Sequence, residues 1–231
     1  MIMKEGISVG EIVAKDYRAA AIFKAAGIDF CCGGKQSIEE IFSEKGIERT
    51  ELISKLKMLE TTPNTTTHNF MEWDPGFMCD YIVNTHHKYV LKSLPELVIY
   101  TKKIASVHGE RHPELSEVAE LFSQVNRELL QHIKKEEDVL FPSIKEAFKT
   151  GSLEAKTTII SEISRLAGEH EFAGGAMDRI NVVTSNYKVP SDGCNTYHVT
   201  FKLLSQFEDD LHTHVHLENN ILFPKALSTT N

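Results

Sequence analysis

Two blocks of this chain repeat each other, and they constrain its fold more than any other feature. His132-Ile133-Lys134-Lys135-Glu136-Glu137-Asp138-Val139-Leu140-Phe141-Pro142 and His214-Val215-His216-Leu217-Glu218-Asn219-Asn220-Ile221-Leu222-Phe223-Pro224 agree at His, Glu, Leu, Phe and Pro in one register. A histidine and a glutamate four residues apart share one face of an α-helix, one turn from each other. The apolar residues around each pair keep the same helical period: Leu121, Val125, Leu129 and Leu140 in the first case, Phe201, Leu204, Phe207, Leu211 and Leu222 in the second. Each polar pair therefore interrupts a stripe that should be buried.

The other long stretches complete a bundle. Asp74-Pro75 is a helix start, an N-cap residue followed by the proline that the first turn tolerates. Amphipathic stretches at roughly 75–106, 113–149, 153–186 and 194–227 are separated by short connections rich in Gly, Pro and Ser. No segment combines period-two alternation with hairpin signals. The prediction is an all-α fold, an up-down four-helix bundle.

The two remaining helices also place histidines on apolar stripes. The third carries His170 among Ile159, Ile163, Leu166, Ala173, Met177 and Ile180, and the first carries the adjacent His86 and His87 among Ile82, Val83, Val90 and Leu91. Periodicity leaves the choice between His86 and His87 open. With His87, each half of the bundle is a helix bearing one histidine followed by a helix bearing His-x-x-x-Glu, at nearly equal intervals. Burying these groups without partners costs several kcal/mol, and a metal removes the conflict. Two facing hairpins would bring His87, His132, Glu136, His170, His214 and Glu218 to one level, the ligand set for two metals. Imidazole and carboxylate without thiolate suit iron better than calcium, magnesium or a structural zinc. Glu136 and Glu218 are assigned as bridges, with solvent-derived oxygen between the irons and open positions for a small molecule. His212, His214 and His216 alternate by two and cannot all face inward, and only His214 lies on the stripe. His108 and His112, beside Gly109 and Pro113, are read as loop residues with a supporting place near the ligands.

All 11 histidines lie beyond residue 67, so residues 1–60 carry different chemistry. This segment is predicted to be a small helical domain, with capping-box spacings at Ser8/Glu11 and Ser37/Glu40. Residues 61–74, opening with Thr61-Thr62-Pro63-Asn64, are read as a linker, and 75–227 as the bundle. Asp29-Phe30-Cys31-Cys32-Gly33-Gly34-Lys35 forms a turn between short helices. Its two thiols, expected to be exposed next to Lys35, are candidates for redox or thiol chemistry, with local packing as the equal alternative. Cys79 and Cys194 are expected to be small buried residues, and Trp73 to pack the domain junction. Four cysteines in so long a chain make no disulfide framework. A net charge of −8 and a pI near 5.8 argue against nucleic acid or anionic membrane as partners. No apolar run could span a bilayer and the opening residues lack a secretory pattern, so a cytoplasmic location is expected.

With these residues assembled, the chain resembles a known family. The bundle with its six ligands is similar to a haemerythrin-like domain, and the Cys-Cys-Gly-Gly turn joined to it resembles the "repair of iron centres" family, the iron-sulfur cluster repair di-iron proteins. Lys135-Glu136-Glu137 through Pro142, Leu217-Glu218-Asn219-Asn220 through Pro224, and Leu94-Pro95-Glu96-Leu97 carry the match. Spacing from the last block selects His87 over His86. The resemblance implies a stress protein that restores iron-sulfur clusters damaged by nitric oxide or peroxide. It also implies two non-haem irons per chain, bridged by oxo and carboxylate groups, from which iron is donated. Damaged iron-sulfur proteins are the implied clients, nitric oxide or oxygen the small-molecule partners, and a second copy of the chain a candidate partner. Oxygen or nitric oxide binding and sensing, and reduction of nitric oxide, are the alternatives it leaves.

Overall fold

Ser8 and Ser37 begin two helices of the first segment. Each hydroxyl accepts from the backbone N–H three residues on, and the glutamate there, Glu11 or Glu40, accepts from the serine N–H in return. The computed structural model describes residues 6–45, 48–62 and 69–229. Its first segment contains α1 (Val9–Lys15), α2 (Ala19–Ala25), α3 (Ile38–Lys45) and α4 (Arg49–Thr61). Ser8 and Ser37 also form an isolated antiparallel bridge, and the described residues contain no β-strand. Of the expected linker, residues 63–68 lie outside the described residues. Phe70–Glu72 forms a 3-10 turn, with Phe70 buried and Trp73 packed edge-on against Phe70, Phe77 and Tyr81.

Four rods follow. The first is α5 (Pro75–Ile82) continued by α6 (Lys88–His108), and the second is α7 (Glu114–Lys135) continued by α8 (Phe141–Thr150). The third is α9 (Leu153–Val183), and the fourth is α10 (Asn195–Leu217) continued by α11 (Phe223–Ser228). Each rod packs on the next and the fourth closes on the first. Asp74 and Ser152 cap their helices through side-chain oxygens, and Gly151 ends α8 in the left-handed conformation that glycine adopts without strain. The third rod ends earlier than the periodicity suggests: Ser185, Asn186 and Tyr187 all take positive φ, and the Asn186 N–H closes back on the Asn181 carbonyl.

Three rods are not uniform α-helix. A π-turn occupies Val83–His87 in the first, Glu136–Leu140 in the second and Glu218–Leu222 in the fourth. The repeated Phe-Pro pair accounts for two of them. Pro142 and Pro224 lack an N–H and would crowd the carbonyls of Asp138 and Asn220, and the wider turn just before them relieves both problems. Glu136 and Glu218 open these turns and His87 closes the other, so the irregular backbone falls at the predicted ligand positions.

The apolar core is divided in two. In every rod the residues on one side of the polar positions join one cluster and those on the other side join a second: Val90 against Ile82, Ile133 against Leu140, Ala173 against Leu166, Val215 against Ile221. A single polar layer therefore crosses the bundle between two apolar layers. The first segment docks beside this layer, with α1 against α10 and the Glu218–Leu222 turn.

Candidate metal centre

Six side chains make up the polar layer. His87, His132, Glu136, His170, His214 and Glu218 are all buried, and their ligand atoms fall into two overlapping groups. His87 and His214 with Glu136 and Glu218 form one; His132 and His170 with the same two carboxylates form the other. The Nε2 atoms of His87 and His214 are 3.2 Å apart, and those of His132 and His170 are 2.9 Å apart. Glu218 reaches both groups with separate oxygens, Oε1 lying 3.0 Å from His214 Nε2 and Oε2 lying 3.2 Å from His170 Nε2. Glu136 Oε2 lies 3.4 Å from His87 Nε2 and 3.3 Å from His132 Nε2.

The outer partners settle which ring nitrogen faces the centre. His87 Nδ1–H donates to Glu137 Oε1 at 2.9 Å, and His132 Nδ1–H donates to Glu169 Oε2 at 2.8 Å. Ionised carboxylates only accept, so in the neutral rings the inward Nε2 atoms carry lone pairs. His170 Nδ1–H donates to Asn219 Oδ1 at 2.9 Å, which gives the same result. Lys135 and Arg165 hold Glu169 in turn at 2.9 and 3.1 Å. The bundle's two halves correspond here: Glu137 and Asn219 each follow the glutamate of the repeat, and each holds the single histidine of the preceding rod.

Facing lone pairs and orphaned oxygens fit a bound cation. Both oxygens of Glu136 and Oε2 of Glu218 are buried with no hydrogen-bond partner among the described residues. Burial alone would drive these carboxylates neutral, yet the surrounding imidazoles hold Glu136 down to about 2 and Glu218 well below the carboxylate range. Against the effect of burial, the same carboxylates raise His87, His132 and His170. Two carboxylates thus draw positive charge into a water-poor layer, where a divalent cation satisfies oxygen and nitrogen donors together. The layer fits a metal site.

The structure brings His87 into this layer and directs its neighbour elsewhere. His86 is buried and stacks on the His214 ring with centroids 5.7 Å apart, but its Nδ1 bonds Asp210 and its Nε2 has no partner among the described residues. His216, placed off the stripe by the alternation argument, is buried all the same. It lies beneath Tyr17 and Phe30 of the first segment, a contact that helix periodicity cannot anticipate.

The thiols also differ from expectation. Cys31 is buried rather than exposed and Cys32 half-buried, because the Asp29–Gly34 turn packs against α9 and α10. The Cys32 S–H donates to the His170 carbonyl at 3.4 Å. Asn220 Nδ2 donates to the carbonyls of Phe30 and Cys31, fastening the turn to the fourth rod. Cys79 is buried as expected, whereas Cys194 is exposed. It sits before the first turn of α10, beyond the core, with Sγ 3.2 Å from His108 Nε2. His108 ends α6, about 30 Å of helix rise from His87. Neither it nor His112, which bonds Asp192 at 3.0 Å, stands near the polar layer.

Sequence reasoning missed Glu137, Glu169, Asn219 and Asn220. Glu137 and Asn219 could have been found, since they share a position in the repeat. Glu169 immediately precedes His170 but carries no signal of its own.

Comparison with known proteins agrees with this architecture. Residues 6–60 match the ScdA N-terminal domain of unknown function (DUF542), and residues 80–226 match the haemerythrin HHE cation-binding domain. The iron-sulfur cluster repair protein ScdA of Staphylococcus epidermidis is 33% identical over 227 residues, covering 98% of this chain and 100% of that protein. The iron-sulfur cluster repair protein YtfE of Yersinia pestis is 32% identical over 220 residues, and that of an Enterobacter species 31% over 220 residues, each covering 95% of this chain and 96% of the relative. The chain therefore belongs, over nearly its full length, to the family of the iron-sulfur cluster repair proteins ScdA and YtfE, with a haemerythrin HHE cation-binding domain as its bundle.

Proposed function

We propose that this chain is an iron-sulfur cluster repair protein that stores two iron ions in the polar layer and donates iron to damaged clusters. His87 and His214 hold one iron, His132 and His170 the other, and Glu136 and Glu218 bridge them. The observation that carries this reading is the division of six buried donors into two groups sharing both carboxylates. The naming of relatives that match nearly the whole chain as iron-sulfur cluster repair proteins supports it.

The donor set suits a store that must also release its metal. Four neutral imidazoles and two carboxylates bind divalent iron without thiolate, and two shared carboxylates leave each position short of a full shell. Bound iron supplies both the cargo and the open coordination positions that nitric oxide or oxygen could occupy. Glu137, Glu169 and Asn219 hold the rings in the ligating tautomer. The apolar layers on either side keep water from the rest of the bundle core.

The clients are proteins whose iron-sulfur clusters have lost iron to peroxide or nitric oxide, and the location is cytoplasmic. A direct test mixes the reduced, iron-loaded chain with a [4Fe–4S] enzyme inactivated by peroxide. Recovery of cluster absorbance and enzyme activity, with matching loss of iron from the chain, is expected. Formation of a stable oxygen adduct without recovery would replace this reading with oxygen carriage.

A further inference from the structure

Asp29, Cys31 and Cys32 form a second cluster of metal-binding side chains, outside the polar layer. Their donor atoms lie within 4.8 Å of one another. The two sulfurs are 3.9 Å apart, close to the edge of about 3.8 Å between thiolates bound tetrahedrally at about 2.3 Å. Asp29 Oδ1 lies 3.2 Å from Cys31 Sγ. The carboxylate is fixed there, because Oδ1 accepts from the N–H groups of Cys31 and Cys32 and Oδ2 accepts from that of Gly33. Three donors are thus preorganised on one turn, and one side of the cluster is open to solvent.

The surroundings point the cluster in two directions. Inward, the Cys32 sulfur touches the carbonyl of His170, a proposed ligand, and approaches α9 at Gly174. A Cβ at Gly174 would stand 3.1 Å from that sulfur, so the bare backbone is what lets the thiol come so close to the helix. Outward, Asp29 and both cysteines line a cavity of about 920 Å³ between the first segment and the bundle. Glu171 and Asp178 add carboxylates to its wall, while the ammonium of Lys24 is taken up by Glu208 and Asp209. An acidic lining concentrates cations.

We infer that Asp29, Cys31 and Cys32 are a third metal site, a transfer position that receives divalent iron from the polar layer and passes it into the acidic cavity toward a client. The inference rests on the proposed function for the identity of the cargo, and on the geometry of the cluster for the site itself. Loading replaces two S–H bonds with two metal–sulfur bonds and releases two protons to the cavity, with no change in oxidation state. Cys31 keeps its proton while the site is empty, since its hydrogen bond with Cys32 and its burial push the thiol well up.

Cobalt(II) titration of the metal-free full chain, with thiols kept reduced and oxygen excluded, tests this site. Three equivalents per chain are expected, the third bringing an intense near-ultraviolet sulfur-to-cobalt charge-transfer band. The double variant Cys31→Ser/Cys32→Ser should bind two equivalents and lose the band. As a check independent of any variant, saturating cobalt should protect the half-buried Cys32 of the native chain from alkylation. Saturation of the native chain at two equivalents, without the band or the protection, would overturn the third site while leaving the two-metal layer standing. Binding of fewer than two equivalents by the native chain would overturn the proposed function instead.

Discussion

Glu169 and His86 occupy corresponding places in the two halves of the bundle, each just before the single histidine of its rod, yet only Glu169 fastens the ring beside it. His132 Nδ1–H is held by Glu169 at 2.8 Å, whereas His214 stacks on His86 and its buried Nδ1 has no partner among the described residues. An outer partner of this kind alters metal affinity by about 10–100-fold. The two proposed irons should therefore leave at different rates, the one on His87 and His214 first. Release to a chelator is expected in two phases, and His86→Glu should slow the fast one. A single phase unchanged by His86→Glu would show the two positions to be equivalent.

Metal should also hold the fold together. Each site saturated a hundredfold above its Kd adds about 2.7 kcal/mol to stability. In a chain of this size that corresponds to about 5–10 °C in Tm. Differential scanning calorimetry with and without chelator measures the shift directly. An unchanged Tm would mean that the polar layer is satisfied without metal.

Cys194 is expected to be the most reactive thiol at neutral pH. His108 lowers it to about 7, assisted by the backbone N–H groups of Tyr197 and Thr196 at the start of α10. Burial, by contrast, raises Cys79 strongly. A lowered thiol titrates to its nucleophilic form as pH rises through about 7, so the iodoacetamide rate at Cys194 should be half-maximal there. His108→Asn should move that midpoint up toward about 8.5. Mass spectrometry of the alkylated peptides reads both outcomes.

The seating of the thiol turn on the bundle depends on Gly34. A Cβ there would lie 2.5 Å from Asn220 Oδ1 and 2.6 Å from the Phe30 carbonyl oxygen. Gly34→Ala should therefore cost about 1–3 kcal/mol and loosen the first segment from the fourth rod. Urea denaturation measures the loss, and faster proteolysis within residues 6–62 reports the loosening.

Much of the centre was legible because one physical conflict recurs in matched contexts. His132/Glu136 and His214/Glu218 interrupt apolar stripes at the same phase, and His170 interrupts a third, so five of the six residues of the polar layer could be read from periodicity, whereas His87 was separated from His86 only by the family resemblance. The π-turns were less visible, although the Phe-Pro pairs that require two of them lie in the repeat. Contacts between the first segment and the bundle were not visible. Cys31 and His216 are buried by each other's elements, and no local pattern encodes which surface a separate segment will cover. Cys194 escaped for a related reason: its exposure follows from the exact start of α10, where sequence boundaries are least sharp.

The metal content of the purified chain, read together with its optical spectrum before and after reduction, tests the central claim most directly. About two irons per chain, with a charge-transfer band that bleaches on reduction, is the expected result. Zinc alone, or no bound metal, would contradict it.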